Sequence, residues 1–102
     1  MIDLKMKAQG QKLSRDAESG WKDVCRGSTG LYRLRFSFDA VWDGYHKAAG
    51  FTADGETDYE PVIGGCVSVP DWLSEKKRYS VAVIGEKDGS RITTDSVEVK
   101  QR

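Results

Sequence analysis

An all-β sandwich, with about seven to eight short antiparallel strands in a single domain spanning residues 1–102, is predicted by three observations. Tyr32, Leu34, Phe36 and Phe38 alternate with Arg33, Arg35 and Ser37, so a strand here has one aromatic face for a core and one basic face for water. Further two-faced segments recur along the chain, separated by Gly- and Asp-rich turns at roughly 8 to 12 residue intervals. Neither strand–helix alternation nor an internal repeat is present. A small orthogonal β-barrel is the alternative arrangement.

Each element has its own warrant. Ile2, Leu4, Met6 and Ala8 alternate with Asp3, Lys5 and Lys7 and end at Gly10, which predicts an amphipathic first strand. Residues 11–20 are polar and predict a loop with a short strand or turn near Leu13. A brief strand is expected over Trp21 to Cys25, a turn at Gly27 to Gly30, and then the aromatic strand from Leu31 to Phe38. Tyr45 to Thr52 alternates again, with a tight reversal at Ala53-Asp54-Gly55-Glu56.

The partner of that strand, Thr57 to Ile63, contains Pro61, which cannot donate to a ladder and therefore belongs at a sheet edge. Gly64-Gly65 turns the chain into a strand at Cys66 to Val69. Pro70 stops it before a helical turn at Asp71 to Ser74, for which Asp71 is the expected cap. The remainder predicts Arg78 to Ile84, an Asp88-Gly89 hairpin turn, Arg91 to Thr94, and Ser96 to Lys100 with Val97 and Val99 facing one way.

Composition narrows the function classes. Sixteen Lys and Arg balance sixteen Asp and Glu, which argues against a surface field built to capture nucleic acid or an anionic membrane. No apolar run approaches the roughly 20 residues that span a bilayer, and the opening MIDLKMKAQG lacks the apolar centre of a secretory signal. Synthesis in the cytoplasm is expected. Cys25 and Cys66 are expected to be buried and reduced, because one pair defines no disulfide framework and its spacing is short for strands on opposite sheets.

Chemistry is sparse. His46 is the sole histidine, with no nucleophile motif around it, so a structural role is expected and a catalytic site is not. The cysteines are isolated from each other and from His46, which argues against zinc. Asp54, Glu56, Asp58 and Glu60 read as a solvated acidic edge rather than a calcium loop. The glycines never form a phosphate-cradling loop, and no cofactor is expected. Arg33 and Arg35 lie across the strand from their aromatic neighbours, so core packing is preferred to single-strand nucleic-acid binding.

Trp42 is expected to close one end of the core. Trp21 and Trp72 lie in polar surroundings, so they are expected to be partly exposed and are candidate partner contacts. Ile2 and Leu4 join them, because the first strand and the Pro61 strand are expected edges to which a neighbour adds by strand pairing. An exposed Trp21 or Trp72 also supports an alternative reading, a carbohydrate-binding β-sandwich that stacks host-surface glycans.

Residues 31–100 resemble a module of phage and prophage tail proteins, the N-terminal Ig-like β-sandwich of baseplate upper proteins. The likeness is carried by LRFSFDAVWDGYHKAAGFT at 34–52, YEPVIGGCVSVPDWL at 59–73 and YSVAVIGEKDGSRITTDSVEV at 79–99. A strand ending in Trp-Asp-Gly, Lys and Phe in the next strand, Cys-x-x-x-Pro with a following Trp, and a Lys-Asp-Gly hairpin occur in that order. The resemblance implies an Ig-like sandwich in a virion, non-enzymatic and without cofactor, packed against other virion proteins and copies of itself. In that family the module heads a longer chain with a stalk and a receptor-binding region. This chain stops at Arg102, so a free-standing tail, baseplate, neck or capsid-decorating subunit, or an excised domain, is the expectation.

Overall fold

The computed structural model describes residues 1–17 and 19–102, so Glu18, within the expected 11–20 loop, lies outside the described residues. Nine strands are present among the described residues: β1 (Ile2–Gln9), β2 (Lys12–Arg15), β3 (Tyr32–Phe38), β4 (His46–Ala53), β5 (Glu56–Pro61), β6 (Cys66–Ser68), β7 (Arg78–Lys87), β8 (Ser90–Thr93) and β9 (Val97–Lys100). They form two packed sheets and no closed barrel. Sheet A runs β2-β1-β3-β6 and sheet B runs β5-β4-β7-β8, with β9 pairing the near half of β7.

Both sheets feed one core. Leu4, Met6, Leu34, Phe36 and Val67 from sheet A meet Ala49, Phe51, Tyr79, Val81, Val83 and Val99 from sheet B. The alternation read for β3 holds, with Leu34 and Phe36 buried and Tyr32 and Phe38 packed at the margins. Trp42 closes one end as expected. It is fully buried, its indole donates to the Gly10 carbonyl at 2.9 Å, and its ring meets Phe38 at 5.3 Å and Tyr45 at 6.3 Å between centroids.

One pairing departs from the antiparallel expectation. β1 and β3 run parallel, in a register that aligns Ile2 with Tyr32, Leu4 with Leu34, Met6 with Phe36 and Ala8 with Phe38. Every apolar residue of one strand thus meets one of the other on the same face. A parallel pair needs a crossover of a dozen or more residues, and the segment between β1 and β3, which includes β2, supplies it.

That arrangement overturns the edge expected at β1. The strand lies between β2 and β3. Beyond the end of β2 its flank is closed by Asp16, whose N–H donates to the Lys5 carbonyl at 2.9 Å. The Ser19 hydroxyl accepts from the Lys5 N–H and donates to the Asp3 carbonyl. The brief strand expected over Trp21 to Cys25 is instead a 3-10 turn, Trp21–Asp23, whose indole donates to the Lys5 carbonyl at 3.2 Å. The indole is a second donor to the Lys5 carbonyl that Asp16 already serves, and its burial there replaces the strand expected from local β-propensity. Asp71 is not a cap either: Pro70 holds the N-cap position of the 3-10 turn Asp71–Leu73, and no side chain caps it.

The other edges are managed in different ways. Leu13 of β2 donates its N–H to the Asp95 carboxylate at 2.8 Å, and Asp95 in turn donates its N–H to the Gln11 carbonyl. Cys66 of β6 exchanges both backbone hydrogen bonds with Ile63 at 3.0 Å. The expected edge at β5 is present. Asp54 and Gly55, at φ 52° and 78°, make the tight turn into it, and Pro61 falls opposite Ala48, next to the hydrogen bond from Val62 N–H to the Lys47 carbonyl. Since ladder bonds alternate, the absent N–H of Pro61 would have faced outward, where no strand needs it.

Tyr79 carries a stability consequence. It is 2% exposed, and its hydroxyl has no hydrogen-bond partner among the described residues. Burial, with a smaller contribution from nearby Tyr32, pushes the phenol well above its ordinary value of 10.0. The fold therefore favours the protonated phenol, and this contribution is intact below the unfolded-state value of 10.0 and is lost as pH rises above it. Tyr79→Phe removes an unpaired buried hydroxyl and keeps the ring. It is expected to stabilise the fold by about 1 kcal/mol at neutral pH and to flatten the alkaline decline in chemical denaturation. A destabilised variant would show that the hydroxyl is satisfied in solution.

Candidate interaction surface

The two faces of sheet A have opposite chemistry because β1 and β3 march in step. Their inner faces are apolar. On the outer face Asp3 aligns with Arg33, Lys5 with Arg35, and Lys7 with Ser37, while Lys12 of β2 alternates with buried Leu13 and so shares that side. Arg33 and Arg35 converge on one carboxylate, at 2.8 Å to Asp3 Oδ1 and 2.9 Å to Asp3 Oδ2. The hydrogen bond from Arg35, followed by that from Arg33, outweighs desolvation and holds the Asp3 carboxyl below its ordinary 3.8. Asp16 stands at the border of this face. The remaining charge is cationic: Lys5, Lys7, Lys12 and the excess of the two arginines.

The balancing acids lie elsewhere. On β5, Glu56 pairs with buried Ala53, Asp58 with buried Phe51, and Glu60 with buried Ala49, so all three carboxylates stand on the core side of an edge strand. Glu56 and Asp58 are nonetheless exposed and Glu60 half-buried, because no strand continues the sheet beyond them. Asp54 at the preceding turn pairs with Lys76 Nζ at 2.7 Å. Among the described residues, no ion pair engages Glu56, Asp58 or Glu60. The solvated acidic edge expected from the sequence is thus in place, and inward-facing charge on an edge opposes the addition of another strand.

A third feature is apolar. Where β1 and β3 begin, apolar side chains are left uncovered: Ile2, at the end of the inner row, is 44% exposed, and the preceding residues Leu31 and Met1 are 36% and 65% exposed. The Ile2 N–H donates to the Leu31 carbonyl at 2.7 Å, which sets the two residues side by side on adjacent chain segments.

The four contact candidates separate accordingly. Ile2 is accessible. Leu4 is fully buried and Trp21 is 8% exposed, so neither offers its side chain to a partner, which corrects the exposure expected for Trp21. Trp72 is half-buried and packed against the core, with its indole N–H enclosed and without a hydrogen-bond partner among the described residues. Polar sequence neighbours misled for Trp21 because the indole is consumed by the β1 flank. Leu31 opens the expected aromatic strand, and nothing in the alternation marks it as uncovered.

Other chemistry is scattered. A cleft of about 560 Å³ lies where the β2 end meets the chain terminus, bordered by Arg15, Trp21, Lys22, Lys100 and Arg102. His46 sits on β4 opposite Glu86 in sheet B, whereas Cys66 sits on β6 opposite Arg35 in sheet A. Both cysteines are free, but Cys25 is exposed rather than buried and Cys66 only half-buried. Cys25 falls between the Trp21 turn and a loop, where nothing packs over it. Among the described residues, no three or more His, Cys, Asp or Glu side chains cluster as a metal site would require.

Comparison with known proteins returns no match: no family model fits the chain, and neither a curated protein nor a solved structure is significantly similar to it.

Proposed function

We propose that the chain is a non-enzymatic structural subunit of a phage particle, in the tail, baseplate, neck or capsid decoration, working through protein–protein packing. The observation that carries this reading is the apolar rim of Ile2, Leu31 and Met1, exposed together where β1 and β3 begin; Val41, Tyr59 and Ile63 are exposed singly elsewhere. Contiguous exposed apolar surface marks an interaction site, and a virion subunit uses such rims in many symmetric copies. The sequence pattern over residues 31–100, which resembles phage tail modules, supports the same role.

The test is composition of particles. Particles purified from cells producing the tagged chain are expected to contain it as an abundant component by mass spectrometry. Ile2→Lys with Leu31→Glu is expected to fold but to be depleted from particles at least tenfold, about the effect of losing 1.4 kcal/mol per contact. A chain absent from every particle fraction, or equal incorporation of the variant, would overturn the reading.

A further inference from the structure

We propose that copies of this chain associate head to tail, the acidic β5 edge of one copy lying along the basic outer face of sheet A of the next. The inference rests on the structural role proposed above and names the partner as a second copy. Its first support is segregation of charge in a chain of zero net charge. Lys5, Lys7 and Lys12 project from one face, and Glu56, Asp58 and Glu60 line an edge of the other sheet.

The second support is spacing. Lys5 and Lys7 are two residues apart on one strand, as are Arg33 and Arg35, Glu56 and Asp58, and Asp58 and Glu60. All these pairs recur at about 6.6 Å, the two-residue rise of a strand. A row of carboxylates can therefore run along a row of cations without losing step. The third is that the β5 acids are not locked in close ion pairs among the described residues, although Lys76 feels the charge of Glu56. Asp3 already absorbs part of Arg33 and Arg35, whereas no ion pair among the described residues engages Glu56, Asp58 or Glu60.

The geometry also selects the symmetry. Face and edge are different patches, so the contact is heterologous and builds a ring if its rotation closes and a filament if it does not. Inward-facing acids and Pro61 on β5 oppose ladder extension, so the contact is between side chains and not a continued sheet.

Sedimentation velocity on the full chain tests this. Wild type is expected to form oligomers at low salt that dissociate at high salt, since screening length shrinks from about 30 Å at 0.01 M to about 3 Å at 1 M. Lys5→Glu/Lys7→Glu and Glu56→Lys/Asp58→Lys are each expected to weaken association at least tenfold. Mixing the two variants restores complementary charge at both contacts and is expected to restore association. Circular dichroism melts confirm that each variant remains folded. Should one not fold, the salt dependence of wild type still decides.

A wild type monomeric at low salt, or variants that stay monomeric when mixed, would overturn the inference. So would wild-type retention on duplex DNA, lost in the lysine variant, without self-association, since the basic face would then serve a phosphate backbone. A chain present in particles yet monomeric under all conditions would sink this inference while leaving its structural role standing.

Discussion

Trp42→Ala is expected to cost about 4 kcal/mol of folding stability, the usual scale for emptying a buried Trp site. The residue is fully buried, so truncation leaves a cavity ringed by Phe38, Tyr45 and Gly85 that the neighbouring strands cannot collapse into without breaking ladder bonds. It also orphans the Gly10 carbonyl, which accepts from the Trp42 indole at 2.9 Å. At about 4–8 °C per kcal/mol for a domain near this size, the melting temperature should fall by roughly 15–30 °C. Trp42→Phe should cost less, because it keeps most of the apolar contact and loses the hydrogen bond. Urea denaturation checks both, and a loss below about 1.5 kcal/mol for the alanine variant would show that Trp42 does not close the core.

Gly85→Ala is expected to cost about 1–3 kcal/mol, the range for overpacking a filled core. A Cβ at this position would lie 3.0 Å from Trp42 Cζ3, 3.1 Å from Tyr45 Cβ and 3.2 Å from Ile92 Cγ2. Of these only Ile92 Cγ2 is a side-chain end, a methyl bonded directly to its Cβ and so short of reach to move aside. Trp42 is pinned by its hydrogen bond and Tyr45 contributes the root of its side chain. In a Trp42→Phe background the closest atom is gone, so the cost of Gly85→Ala should fall by at least about 0.5 kcal/mol, a coupling expected of residues in contact. Gly50→Ala is the control. Its Cβ would meet Tyr59 Cε1 at 2.9 Å, but that ring is 55% exposed and can swing away. Equal costs at the two glycines would refute the assignment of Gly85 as a packing position.

Period-two patterning read most strands correctly because a half-buried strand must alternate. β3, β4, β5 and the β7–β8 hairpin follow from Tyr32-Leu34-Phe36, Ala49-Phe51, Pro61 and Asp88-Gly89. The interaction surface was less legible. Alternation marks Ile2 and Leu4 alike as strand residues and polar neighbours mark Trp21 as exposed; only the opposing sheet and the β1 flank, which cover Leu4 and Trp21 but not Ile2, separate them. The acidic edge at Glu56, Asp58 and Glu60 and the wet side bearing Lys5 and Lys7 are each legible in the sequence, but their placement on different sheets is not, because strand order depends on contacts between distant residues.

By itself, then, the sequence determined that the chain is all-β, which faces are wet, where it turns, and that Trp42 belongs inside, since each follows from side-chain alternation or local backbone freedom. Tertiary structure alone decided that β1 pairs parallel with β3, that Ser19 and Trp21 seal its flank, and that Ile2 stands in solvent while Leu4 does not. These depend on contacts between residues distant in the chain. Alternation tells a residue which face it occupies; only the neighbouring sheet determines whether that face is covered.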